Sequence, residues 1–431
     1  MSAATVVSPE SPVSEQLRQV TVVSKKFPTV FTAVTVLLLA IIGLAPRDGS
    51  TSFRLSSPGD LVEIPAVSAP AMPTAWFCLV LMAAFTVLSW LLWRRDRRTP
   101  WYLGVVFALL FLTAFLSWAG AGSSSDFPVV RLVSSSVLLA VPIVFGALGG
   151  TIGERAGVVN IAIEGQLLAS AFVAAIVGTV TGSPWVGLLA AIVAGGLVAL
   201  VLGVFTITYR VDQVIVGVVL NVLVLGLTSF LYSQVLVPQA ALYNKTTLFP
   251  KVEIPGLAHI PILGPALFNQ SVIVYVMYAT IPLVWFAMFR TRWGLRLRAV
   301  GEHPLAADTV GIKVNRVRYR ALVIAGAVVG MGGAYFTLVS VSAFGKNMTA
   351  GAGFIALAAV IFGKWDPIKA ALAALLFGFA SALSGAMSIV NAPVPSQFML
   401  MLPYVVTLLA VAGLVGRSRG PAASGTAYVK E

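Results

Sequence analysis

The stretch Arg290–Arg320, RTRWGLRLRAVGEHPLAADTVGIKVNRVRYR, is polar and basic and lies between two long apolar runs. It carries Arg290, Arg292, Arg296, Arg298, Lys313, Arg316, Arg318 and Arg320. Short loops with excess Lys and Arg face the cytoplasm, and that bias orients the whole chain. Inside the stretch is a compact helix signal. Pro304 suits a first helical position, where its missing N–H is not needed. Leu305, Ala306, Ala307 and Asp308 can follow, and Gly311 can end the helix in a left-handed conformation. About seven residues give roughly 10 Å of helix. A short helix of small residues in a cytoplasmic loop reads as a docking element. The plainer reading is an ordinary basic loop with a stray helical turn.

The rest of the chain fixes the class. Its 431 residues are 58% hydrophobic and 10% charged, with mean hydropathy +0.96. Several runs reach the roughly 20 residues needed to cross a bilayer. The chain therefore reads as all-α, a polytopic helical membrane protein with lipid as its solvent. The net charge of +13 sits at the ends of apolar runs, which fits positive-inside topology and not nucleic-acid binding. Cys78 is the single cysteine and can form no intrachain disulfide. His259 and His303 are far apart and offer no metal cluster.

Residues 1–24 read as a disordered cytoplasmic tail. Residues 25–128 hold three spans near 29–45, 74–93 and 101–118, the second closed by Arg94-Arg95-Asp96-Arg97-Arg98. From 129 to 416 the spans become richer in Gly, Ala and Ser, near 129–150, 161–182, 186–208, 213–235, 272–289, 320–341, a short 353–363, 368–388 and 398–415. Residues 417–431 read as a second cytoplasmic tail, marked by Arg417 and Arg419. Twelve segments counted from an inside N-terminus at Lys25-Lys26 leave 290–319 inside and both termini cytoplasmic. Residues 236–271, with five prolines, become an external, ordered and turn-rich lid or docking surface. Glycines at helical spacing, such as Gly146, Gly149, Gly150 and Gly153, or Gly326, Gly330, Gly332 and Gly333, suit close helix packing in lipid.

Residues 150–166, GTIGERAGVVNIAIEGQ, place polar groups inside an apolar run. Asn160 and Glu164 are four apart and share a helix face. A carboxylate at bilayer depth is costly and faces a partner or a water-filled cavity. One reading is a broken helix lining a translocation path, with both side chains exposed to the solute. The other makes Asn160 a helix N-cap and Glu164 an acceptor for backbone donors at the break. Glu154 and Arg155 can compensate each other, or can mark the inner membrane surface. Asn221 lies deep enough to line the path, whereas Asp212 suits a surface pair with Arg210. Phe354 opens the short segment after a Gly-rich approach, where an aromatic can stack on a base or sugar ring.

Three stretches carry a family resemblance. They are Gly301-Glu302-His303-Pro304 with Ala306-Ala307 and Gly311-Ile312, then Gly153–Ile161 with Glu164-Gly165, and the GAGF…FGKWDP stretch of 351–367. Together they resemble the permease subunits of ATP-binding-cassette (ABC) importers, in the branch for simple sugars, nucleosides and branched-chain amino acids. The likeness spans residues 130–415. It implies an importer-permease core of about ten helices, with the first three spans as an addition. It implies a coupling helix for a separate ABC ATPase, formed by Gly301, Glu302, Pro304, Ala306, Ala307, Asp308 and Gly311. It further implies a second permease chain, the same or related, an extracytoplasmic solute-binding protein, and a bacterial cell membrane. ATP and Mg would sit on the ATPase, with no cofactor on this chain. One departure stands out. The family's Gly-Gly after the short segment reads Phe362-Gly363-Lys364 here.

No G-x-x-x-x-G-K-[ST] string is present, so ATP hydrolysis has to come from a partner. The few charges within the spans point to a neutral polar solute. The competing class is a self-sufficient secondary transporter or channel, for which Glu164 is the one good coupling group. A membrane enzyme lacks paired acid/base or metal-ligand residues in the spans.

Overall fold

A computed structural model describes residues 24–56, 60–390 and 420–430, together with Phe398 and Met401. The expected span 398–415, apart from Phe398 and Met401, and residues 1–23 fall outside the described set. In chain order the elements are α1 Lys26–Leu44, β1 Ser50–Arg54, β2 Val67–Pro70, α2 Ala71–Arg94, α3 Trp101–Ala119, β3 Phe127–Pro128, α4 Val129–Arg155, α5 Ile163–Thr181, α6 Pro184–Gly203, α7 Gln213–Leu231 and α8 Ala240–Tyr243. Then follow β4 Lys251–Glu253, β5 Asn269–Ser271, α9 Val272–Arg290, α10 Arg292–Glu302, α11 Pro304–Thr309, α12 Val314–Tyr335, α13 Ala352–Phe362 and α14 Pro367–Ile389. The fold is all-α. Ten of the described helices are long and apolar enough to cross a membrane, and α13 is a shorter apolar helix. α6, α7 and α12 each end in a π turn, at Val204–Thr208, Tyr232–Leu236 and Phe336–Ser340.

The chain divides into two compact units, 1–49 with 70–118 and 50–69 with 119–431. The first holds α1–α3. Their few polar groups pair within the unit, as an apolar surrounding requires. The Trp90 indole donates to the Thr32 hydroxyl at 3.0 Å, and that of Trp118 to the Ala45 carbonyl at 2.7 Å. Phe31 stacks on Phe107 with ring centroids 4.0 Å apart.

The second unit is built around α4. Every residue from Ala140 to Glu154 is buried, because α12, α13 and α14 all pack on this helix. A helix apolar all round belongs at the centre of a bundle. Close approach is achieved by omitting side chains. A Cβ on Gly195 of α6 would collide with the Gly326 carbonyl of α12, and one on Gly326 with the Gly195 carbonyl. Gly378 of α14 meets Ser136 and Ala140 of α4 in the same way. In this unit β1 lies between β2 and β3, with Phe53 opposite Phe127. Arg54 and Asp126 form an ion pair at 2.7 Å there. The Ser52 side chain and the Arg54 guanidinium hold the Asp126 carboxyl below the usual carboxylate range.

Two boundaries differ from the sequence reading. α4 runs on to Arg155, past the expected end near 150 and through Gly149, Gly150 and Gly153. Gly149 and Gly150 are packed under Val329 and Val360, so tertiary contact replaces the propensity they lack. α12 begins at Val314, so its first turn lies inside the basic stretch.

Candidate functional site: the chain break at 156–162 and the basic loop

Between α4 and α5 the chain leaves helical form for residues 156–162. Gly157 takes φ +86°, a left-handed conformation that turns the chain. The backbone groups freed by this break are buried and need partners. α7 supplies them. The Val159 N–H donates to the Gln213 side-chain carbonyl at 2.6 Å. Asn221 donates to the Ile161 carbonyl at 2.9 Å and accepts from the Gly165 N–H at 2.8 Å. Asp212 caps α7 by accepting from Val214 and Ile215, in place of the expected pairing with Arg210.

Asn160 is fully buried and forms a reciprocal amide pair with Gln166, at 3.1 and 3.2 Å. It does not cap α5, which starts after Ala162. Glu164 lies in the first turn of α5 and is buried. Its Oε1 accepts from the Thr349 hydroxyl at 2.6 Å and the Gly351 N–H at 2.9 Å, and its Oε2 from the Gly353 N–H at 2.7 Å. Both oxygens thus grip the entry of α13, where donors are unpaired and the helix dipole favours an anion. A Cβ on Gly353 would collide with the Glu164 backbone, so α13 starts in direct contact with α5. Phe354 follows immediately, with 51% of its surface exposed. The fold therefore brings Asn160, Glu164, Asn221 and Phe354 to one junction, linked through Gly165 and Gly353.

At the other end of α13 the departure from Gly-Gly has a local answer. Lys364 and Trp365 both adopt left-handed backbone, at φ +55° and +54°. Arg155 donates to the Trp365 carbonyl at 3.0 Å and the Lys364 carbonyl at 3.5 Å. Glu154 accepts from the Trp365 indole N–H. Glu154 and Arg155 thus serve this turn instead of each other.

The basic loop is largely helical. Thr291 accepts from Gly294 at the start of α10. Pro304 opens α11, and Gly311 follows at φ +82°. Ala307 is 3% exposed and packs with Val300, Val314 and Tyr428. Leu305 and Val310 are 50% and 74% exposed, and Ala306 is exposed beside them. Gly301 lies against the carbonyl of Arg155, and Glu302 sits 3.8 Å from the Arg155 guanidinium. Asp308 reaches Lys430 at 3.6 Å. Residues 420–430 pack onto this region. Ala423 donates to the Gly301 carbonyl at 2.9 Å and Ala422 to Glu302 at 3.2 Å. Arg318, 1% exposed, donates to the Thr426 carbonyl at 3.0 Å, while its Nε and Nη2 find no partner among the described residues.

Sequence reasoning assigned no role to Gln166, Gln213, Thr349 and Trp365, although Gln213 is a polar residue in apolar surroundings and Thr349 opens the Gly-rich approach to the short segment. Their only signal was polarity, or a lone aromatic, next to a glycine-rich break. Their roles depend on partners six to more than two hundred residues away.

Among the described residues, ten membrane-length helices, a short helix entered through a glycine turn and a chain break clamped by buried amides define a polytopic membrane protein in which irregular backbone is shielded within protein. Residues 132–411 match the family model described as branched-chain amino acid transport system / permease component. The chain belongs to that permease family. It is 40% identical to the guanosine ABC transporter permease protein NupQ of Bacillus subtilis, over 69% of this chain and 96% of that protein. It is 35% identical to the nucleoside ABC transporter permease protein NupC of Lactococcus lactis, over the same shares. It is 36% identical to the putative glucose ABC transporter permease protein TsgC13 of Haloferax volcanii, over 58% and 76%. No solved structure matches the chain. The protein is a multi-pass permease subunit of an ABC importer and not itself an enzyme. The family match begins after α3, so α1–α3 lie outside it.

Proposed function

We propose that this subunit forms the membrane path of a nucleoside importer. The observation that carries the reading is its 40% identity to a guanosine permease across nearly that protein's full length. A simple sugar is the second reading, favoured by the 36% identity to a putative glucose permease. At the junction, Asn160, Glu164 and Asn221 act by fixing the wall of the path, since each is buried and engaged. Phe354 is the contacting group, because its exposed ring can stack on a base.

An ABC ATPase carrying ATP and Mg docks on α11 and its flanks, the stretch of Gly301, Glu302, Pro304, Ala306, Ala307, Asp308 and Gly311. Two features support this docking. The loop is basic, hence cytoplasmic, and Leu305, Ala306 and Val310 are left exposed on it. The same charge bias gives both termini a cytoplasmic location. A second permease chain, identical or related, completes the path, and an extracytoplasmic solute-binding protein delivers the solute. The test is uptake of tritiated guanosine and of glucose by proteoliposomes holding the complex. Guanosine uptake that needs ATP and is outcompeted by other nucleosides supports the reading. Uptake of glucose alone replaces it with the sugar reading.

A further inference from the structure

We infer that Arg155 is a positioning residue that joins the ATPase-docking loop to the turn beneath α13, so that movement of the loop is delivered to the Glu164 junction. The inference rests on the proposed docking of an ATPase at α11. Arg155 closes α4 and points three ways. Its Nε and Nη2 donate to the Trp365 and Lys364 carbonyls, and its Nη1 lies 3.8 Å from Glu302 at the end of α10. A guanidinium is the one side chain whose rigid fork can serve both directions at once.

The contact is backed by packing on each side. Gly301 has no room for a side chain because it lies on the Arg155 carbonyl, so α10 cannot shift without pressing on the end of α4. On the other side, Lys364 and Trp365 are non-glycine residues in left-handed conformation. Such a turn persists only where its surroundings over-determine it. Here Arg155 holds its carbonyls, Glu154 its indole, and Gly420 its ring face. The turn ends α13, whose opposite end is the Glu164-gripped entry. α13 has only eleven residues, about 16 Å of helix, short enough to move as a rigid rod. A displacement of Glu302 therefore has a continuous physical route to Gly351 and Gly353.

The experiment uses the reconstituted complex with Cys78→Ala and a reporter, Ala350→Cys, in the exposed residue beside the α13 entry. Maleimide labelling of the reporter is timed with and without ATP plus vanadate. In the parent complex the labelling rate should change with nucleotide. In Arg155→Lys and Arg155→Gln that change should fall by about fivefold or more, the lower end of an allosteric coupling. ATP hydrolysis should hold, while the melting temperature should fall modestly as the turn loses one of its braces. Trp365→Phe keeps the ring but loses the N–H to Glu154, and should give a smaller loss in the same direction. An undiminished nucleotide response in all three variants overturns the inference. A separate arm cross-links Ala306→Cys to the ATPase. No cross-link in the parent complex overturns the docking reading itself, so the two failures are told apart.

Discussion

The Glu164 carboxylate on α5 accepts the backbone N–H of Gly353 on α13 at 2.7 Å. With Thr349 and Gly351 on its other oxygen, one carboxylate satisfies three donors from a separate part of the chain. An acid placed among apolar residues is thereby explained as a brace for a helix entry, whose first N–H groups have no partner within the helix.

Glu164→Gln should be destabilising. The amide keeps one oxygen but turns an NH2 toward donors that need an acceptor. Leaving a buried donor unmet costs about 1–3 kcal/mol. The melting temperature of the purified complex should drop, and uptake should fall with the folded fraction. Unchanged melting with lost uptake would instead mean that Glu164 meets the solute directly.

The two faces of α11 should respond differently. Leu305→Asp and Val310→Asp change exposed positions and should leave melting within about 0.5 kcal/mol of the parent while ATPase co-purification is lost. Ala307→Leu overfills the pocket of Val300, Val314 and Tyr428, at a cost of about 1–3 kcal/mol. Its loss of uptake should track loss of folded protein. Equal behaviour of both sets in pull-down and melting assays would remove the distinction.

Gly326→Leu should prevent α6 and α12 from meeting. Its Cβ would already collide with the Gly195 carbonyl and Ala199. Gly196, beside Gly195 on α6, faces only ordinary contacts with Val323 of α12, so Gly196→Ala is the control. Fluorescent size-exclusion profiles should show the first variant aggregated and the second monodisperse.

Asp126 should contribute to stability in a pH-dependent way. Its carboxyl is held below the ordinary value of 3.8, so the stabilisation is fully present above that value and fades as pH falls through the lowered one. Asp126→Asn should melt below the parent at pH 7, and the gap should close progressively below pH 3.8. A gap independent of pH would assign the effect to packing.

Composition, apolar run length and the placement of Arg and Lys determined the class, the spans of the described helices and the basic loop, because each is a local property of transfer between water and lipid. Pro304 and Gly311 bounded α11 because their backbone preferences are likewise local, being intrinsic to the residue. The pairing of polar groups was decided by tertiary structure alone. Asn160 could have been a cap or a path residue, and only the fold shows it against Gln166. Glu154 and Arg155 are adjacent and opposite in charge, yet both turn to residues near position 365. Ala306 and Ala307 are identical in kind, but α12 and Tyr428 bury one and leave the other exposed. Sequence states that a buried polar group must be satisfied. Which donor or acceptor satisfies it depends on how the folded chain brings partners together, from six to more than two hundred residues away, and local spacing carries no record of that meeting.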